Sequence, residues 1–228
     1  MAGLQHPTGI CSAAYCDVDG TLTDTTIVAP LVHLKCRAMR RPWRWLWLAS
    51  LAVHGPWWLL LDAMDRAASN RAIYKHYHGV PVDLLMGEAA KFGREYLQSR
   101  IFGPARQRLE AFRQGGVKIV FVTGGLDVFL EPLAAEWEAD VLAPRMEVVH
   151  GICTGRVLPE PFTGQVKARL IREHAARHGF DLAHCHALGD AFGDLPMLEC
   201  VGHPLAINPD RRLARVAKER GWQVENWR

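Results

Sequence analysis

An apolar run, Ala13-Ala14-Tyr15-Cys16, leads straight into Asp17-Val18-Asp19-Gly20, so two carboxylates stand one residue apart with a glycine directly after them. If residues 12–17 form a strand, the chain must turn just beyond it, and Gly20 permits that turn. Both carboxylates then emerge at the carboxyl end of a sheet, where open α/β folds bind their ligands. Two like charges this close repel unless a cation lies between them or one carboxyl stays protonated. Phosphoryl chemistry uses both remedies: a metal-bound carboxylate can attack phosphorus, and a protonated neighbour can supply the leaving group's proton. Taken alone, the same residues also fit a surface turn or a calcium loop.

Three further segments bear on that choice. Val117-Lys118-Ile119-Val120-Phe121-Val122 reads as a strand and ends in Thr123-Gly124-Gly125, ahead of a helical pattern over 126–138. A hydroxyl and backbone N–H groups at such a strand-to-helix turn can hold an anion. Lys167 sits near the start of a predicted helix over 165–178, able to neutralise a phosphate or an aspartate. Leu188-Gly189-Asp190-Ala191-Phe192-Gly193-Asp194 repeats the opening theme, two aspartates after a short apolar run. Hard magnesium takes oxygen ligands, usually a few carboxylates plus water, and Asp190 and Asp194 suit it.

The order and spacing of these four elements resemble the haloacid dehalogenase superfamily, in particular the branch containing phosphoserine phosphatase. The resemblance covers about residues 10–25 and 100–228. It implies a magnesium-dependent phosphomonoesterase in which Asp17 is the nucleophile and forms an aspartyl-phosphate. Asp19 is then the general acid and later the base for water. Thr123 and Gly124 hold a phosphate oxygen, and Lys167 balances charge. The implied Mg²⁺ ligands are Asp17, Asp19 through its backbone carbonyl, Asp190 and Asp194, the last directly or through water. Ala191 departs from the serine or glycine of many relatives, without removing a metal carboxylate.

The expected fold is α/β, a Rossmann-like parallel sheet with strands near 12–17, 117–122, 140–143, 184–188 and 204–207. Helices are expected near 104–114, 126–138, 165–178 and 210–220, and the alternation argues for a doubly wound sheet. Segments 147–149 and 155–157 read as a small hairpin. The resemblance implies a catalytic core of residues 1–23 and 101–228, with a helical cap over 24–100 inserted between the first and second motifs.

With 228 residues, 49% of them hydrophobic, the chain can bury a core and one cap. A net charge of +3 gives no case for nucleic-acid binding. Six cysteines without a C-x-x-C pair suggest no disulfide framework and a reducing, cytoplasmic setting. The N-terminus has no charged segment followed by an apolar core, so no signal peptide is expected. His184-Cys185-His186 looks like a metal cluster, but neighbours along a strand face opposite ways and cannot converge.

The cap segment is unusual. Five of the ten residues from Lys35 to Arg44 are basic, and five of the eight tryptophans fall between Trp43 and Trp58. The run Trp45–Leu61 is too short for a comfortable membrane span, and Gly55-Pro56 is expected to break or kink any helix there. Two packings fit: short helices burying the tryptophans inside the cap or against a partner, or a peripheral seat on anionic membrane through tryptophans and a basic rim. The second leads toward a lipid phosphate such as phosphatidylglycerophosphate. The alternatives are a soluble small-molecule phosphatase (phosphoserine or similar), a phosphotransferase, and a non-catalytic membrane-docking protein. In serine-binding relatives a cap carboxylate and an arginine grip the amino acid, whereas here Thr25-Thr26-Ile27-Val28 follows Asp24. Arg66, Arg71, Lys75 and His76 are the candidates for the cap's inner surface.

Overall fold

The structure, a computed structural model, describes residues 12–64, 66–158 and 163–228. Within it the side chains at 59, 60, 62–64 and 66 lie outside the described set, and so does the Arg66 candidate.

Strand β1 (Ala13–Cys16) is central. It pairs in parallel with β2 (Lys118–Val122) on one side and β6 (His186–Gly189) on the other. Beyond β2 lies β3 (Asp140–Leu142), and beyond β6 lie β7 (His203–Ile207) and β8 (Gln223–Glu225), giving the order β3-β2-β1-β6-β7-β8. The chain therefore builds outward on one side of β1 and then returns to build on the other. That switch in direction opens a crevice at the carboxyl ends of β1 and its neighbours.

All four residues of β1 are buried. Ala14 and Cys16 join one apolar cluster, whereas Ala13 and Tyr15 join the other, so the sheet is covered on both faces. The covering helices include α5 (Gly103–Gln114), α6 (Glu131–Trp137), α7 (Gly164–His178) and α8 (Arg211–Arg220). The expected helix over 126–138 divides into a short 3₁₀ turn, Asp127–Phe129, and α6. Pro132 at the start of α6 suits a helix N-terminus, where its missing N–H costs nothing. The expected strand over 184–188 is displaced to 186–189, since Leu182–His184 forms a 3₁₀ turn. His184 is exposed, Cys185 is buried and His186 stacks on His203 at 4.9 Å, so that trio does not converge. Five cysteines among the described residues are free.

The hairpin is β4 (Arg145–Val149) with β5 (Ile152–Leu158), turning at His150 and Gly151. Both turn residues have positive φ, the backbone that matches strand twist in a two-residue hairpin. Between β1 and β2 the chain is helical: α1 (Val28–Ala38), α2 (Arg41–Met64), α3 (Arg66–Tyr74) and α4 (Val82–Lys91), then a π and a 3₁₀ turn to Arg100. The entry and exit of this stretch lie side by side, with Phe102 N–H donating to the Leu22 carbonyl at 3.0 Å.

One expectation is corrected here. Gly55-Pro56 does not break the helix; α2 runs through it for 24 residues. Proline removes one backbone hydrogen bond and crowds the preceding turn, at a cost of about 3 kcal/mol. Burial of Trp58 beyond the proline, and the 3.1 Å hydrogen bond that the Ser69 hydroxyl donates to the Trp58 carbonyl, help to offset that cost.

Behind the sheet, the buried His174 of α7 meets the Tyr15 hydroxyl at 3.2 Å and Asp140 at 3.1 Å, while Lys118 pairs with Asp140 at 3.0 Å. Burial lowers the His174 pKa, and Asp140 only partly opposes this. The fold thus favours the neutral ring, so its contribution is complete above about pH 6.5 and is lost as pH falls through the lowered folded value. Urea midpoints of the parent should decline below about pH 6.5, and His174→Gln should remove part of that decline.

Candidate active site

Asp17 follows β1 directly, and its N–H donates to the Leu188 carbonyl at 2.9 Å, which fixes it at the crevice. Its side chain is 7% exposed. Lys167, in the first turn of α7, donates to Asp17 Oδ1 at 2.5 Å and to Asp194 Oδ1 at 2.7 Å. Thr21 donates to Asp17 Oδ2 at 3.0 Å and reaches Asp190 Oδ1 at 3.4 Å. Two glycines allow this crowding. Gly20 has φ +85°, and a Cβ there would stand 2.2 Å from Asp190 Oδ2. Gly164 begins α7 so close to the Asp190–Asp194 loop that a Cβ would stand 2.1 Å from the Gly193 carbonyl oxygen.

The electrostatics follow from burial. Removal from water pushes the Asp17 carboxyl up to about 6; Lys167 pulls it down, and Asp194 and Asp19 add to the rise. Burial also works against the Lys167 ammonium, but Asp17 and Asp194 outweigh it and hold its pKa above the ordinary lysine range. One cation is thus shared between two carboxylates while a third stands near. Asp17, Asp190 and Asp194 each offer an oxygen, and these atoms all lie within 4.8 Å of one another. Hard oxygen donors with negative charge beyond what one lysine neutralises suit a hard divalent cation. The carboxylate of Asp19 is outside this group, so any part it has in holding a metal falls to its backbone carbonyl.

Asp19 points instead toward hydroxyls. Thr25 donates to its Oδ1 at 2.7 Å, and Thr123 reaches its Oδ2 at a long 3.5 Å. Thr123 is 1% exposed and follows β2 directly, and its hydroxyl accepts from the Gly125 N–H at 3.0 Å. Asp17, Asp19, Thr123, Gly124, Lys167, Asp190 and Asp194 all line one cavity of about 460 Å³, so the separated motifs meet at a single place.

The far wall of that cavity comes from the helical segment. Ile27, Val28, Leu51, Trp58 and Ile73 supply an apolar lining, with Ser69 and Asn70 among them. This corrects the choice of cap residues. Arg71 and Lys75 are exposed, and His76 packs in edge contacts with Trp58, His54 and Trp47. The inward face of α3 is the phase of Ser69, Asn70, Ile73 and Tyr74, one residue away from that of Arg71 and Lys75. Two contributors escape sequence reasoning. The Tyr74 hydroxyl donates to the Gly124 carbonyl, tying α3 to the Thr123 loop. Asn208, at the end of β7, donates to the Gly20 carbonyl at 3.0 Å and accepts from the Trp227 N–H at 2.7 Å. A polar residue at the carboxyl end of a strand is the signal that could have singled out Asn208.

Lys167→Met should leave buried carboxylates without their cation. The expected loss is about 3 kcal/mol or more of folding stability near neutral pH, read by urea denaturation.

A parallel sheet with carboxylates, a hydroxyl and a lysine converging at its switch point is the arrangement of a phosphate-ester hydrolase. The sequence profile of haloacid dehalogenase-like hydrolases matches residues 14–199, and the chain belongs to that family and is a phosphatase. It is similar to the phosphoserine phosphatase SerB1 of Mycobacterium tuberculosis, at 29% identity over 98% of this chain and 73% of the relative. In fold it is similar to a protein of unknown function from Bordetella pertussis Tohama I, with TM-score 0.81, 20% identity and coverage of 95% and 99%. It is also similar to a phospho-aspartyl intermediate analogue of phosphoserine phosphatase, with TM-score 0.67, 17% identity and coverage of 97% and 95%.

Proposed function

We propose that the protein hydrolyses small-molecule phosphomonoesters through a covalent phosphoryl intermediate on Asp17. The observation that carries this is the buried Asp17 carboxylate, paired to Lys167 at 2.5 Å and opening on the same cavity as Asp19 and Thr123. Asp17 attacks phosphorus in line with the ester bond, and the P–O bond to the alcohol breaks. Asp19, protonated and oriented by Thr25, gives its proton to the departing oxygen. Asp19 then takes a proton from water, which attacks the phosphorus and releases Asp17 and inorganic phosphate. Thr123 and the Gly124 backbone orient the phosphoryl oxygens, and the Lys167 ammonium offsets their charge. Magnesium, held by Asp17, Asp190, Asp194 and the Asp19 carbonyl, would supply further charge neutralisation when bound. Residues 24–100 act as a cap over a core of 1–23 and 101–228, of which 1–11 and 159–162 lie outside the described residues. A covering cap excludes water and chooses the alcohol.

Phosphate release from a panel of monoesters, including phosphoserine and sugar phosphates, should depend on added Mg²⁺. Asp17→Asn should abolish it while leaving the circular dichroism spectrum and melting temperature near those of the parent. Normal turnover in that variant would remove Asp17 as nucleophile.

The names of the relatives favour a soluble ester over a lipid phosphate. One observation supports a second reading, peripheral contact with an anionic membrane. Trp43, Leu46, Val53 and Trp57 are 64%, 62%, 74% and 55% exposed, and their spacing sets them on a single outward stripe of α2. Arg37, Arg40 and Arg41 are exposed beside its start. Interfacial tryptophans suit such a seat, and so do basic side chains, each contributing about 1 kcal/mol near anionic lipid. No helix among the described residues is long and apolar enough to cross a membrane. The protein should cosediment with phosphatidylserine vesicles and not with phosphatidylcholine vesicles, and Trp43→Ser with Trp57→Ser should weaken this. Equal recovery from both lipids, or a dimer lost in the double variant, would assign the stripe elsewhere.

A further inference from the structure

Asn70 is a buried polar side chain of the cavity's far wall for which the described residues supply no hydrogen-bond partner; Thr26, the other such side chain there, is exposed. Asn70 is 5% exposed and lines the cavity beside Leu51, Trp58 and Ile73. Its neighbour Ser69, 2% exposed, is already committed through the 3.1 Å bond to the Trp58 carbonyl. Thr25, on the catalytic side, is committed to Asp19 and Thr23. No described residue bonds the Asn70 carboxamide, and its polar atoms are absent from those sealed inside the protein without a partner, among which only Trp137 Nε1 is found. The carboxamide therefore meets the cavity itself.

Buried polar groups are nearly always hydrogen-bonded, so a carboxamide without a protein partner at a cavity wall takes its partner from the cavity, as water or a bound ligand. Helix phase explains how the group comes to be there. Ser69, Asn70, Ile73 and Tyr74 form the inward face of α3; Tyr74 is fixed to the Gly124 carbonyl and Ile73 lies against apolar neighbours. Asn70 is thus held on a rigid helix at a set position relative to the Thr123 loop, and a group so held can discriminate between ligands.

Resting on the phosphatase reading, we propose that Asn70 is a specificity-determining residue that reads one uncharged hydrogen-bonding group on the substrate's alcohol. A carboxamide both donates and accepts, so its natural complement is a hydroxyl or an amide. The surrounding Ile27, Val28, Leu51, Trp58 and Ile73 take up the carbon skeleton that carries it. The substrate class is a phosphomonoester whose alcohol joins an apolar body to a single neutral polar group.

The test is kcat/KM for a series of alkyl phosphates and their ω-hydroxy counterparts of equal length. The parent should prefer at least one hydroxylated member over its alkyl partner by about tenfold or more, since a site built to bond a hydroxyl rejects the analogue lacking it. Asn70→Leu should bring that ratio to near one while keeping hydrolysis of the alkyl ester. It should also melt no lower than the parent, because it removes a buried polar group that no protein group satisfies. Asn70→Ala should abolish the preference as well. A parent that hydrolyses the series without preference, an Asn70→Leu ratio equal to the parent's, or a marked drop in melting temperature in Asn70→Leu would each overturn the role of Asn70 and leave the phosphatase reading standing. A parent that releases no phosphate from any ester, including those of the wider panel, would overturn the phosphatase reading and this one with it.

Discussion

Charge buried at the carboxyl end of β1 is the constraint around which the rest is arranged. Asp17 and Lys167 are each 5% exposed and Asp194 is 2% exposed, so three ionised groups have been taken out of water together. Such a cluster is weak evidence for stability, because desolvation cancels much of the attraction. It persists where the surrounding fold supplies the energy, here two apolar clusters that cover both faces of a six-stranded sheet. The glycines beside it have the same origin. Side chains at Gly20 or Gly164 would occupy the space that lets the β1, β6 and α7 loops close on one another.

The helical segment contributes a different kind of constraint. Facing the charges it sets an apolar wall, so the cavity is polar and anionic at one end and hydrocarbon at the other. A helix apolar on every side is unusual on a protein surface. In α2 the inner face, Leu51 and Trp58, closes the cavity, and the outer stripe is exposed. The two ends of the cavity thus come from different parts of the sequence. The charged end comes from strand ends and the apolar end from helix faces.

Much of the charged end was legible in the sequence. The spacing of Asp17 and Asp19, the Thr123-Gly124 turn, Lys167 and the Asp190–Asp194 loop could be read in order, because each follows an apolar run or opens a helix. Strand β8 was not legible, since Gln223-Val224-Glu225 is a short edge strand without an apolar run, and edge strands are commonly short and charged. The continuity of α2 through Pro56 was missed because local propensity carries no knowledge of the packing at Trp58 that outweighs it. The cap's inner residues were chosen by charge, whereas helix phase decides which side chains turn inward.

The sequence by itself determined most of the central strands, the family and the identity of the groups able to carry the chemistry. Those are local properties: apolar runs, turn glycines and residue types at fixed spacing. Only the tertiary structure decided that Lys167 bridges Asp17 and Asp194, that Tyr74 reaches the Gly124 carbonyl, and that Asn208 links the Gly20 loop to Trp227. These contacts join residues that are far apart along the chain. They depend on the parallel register of β1 with β2 and β6, and on the rotation of α3 about its own axis. Neither quantity is written in any single segment.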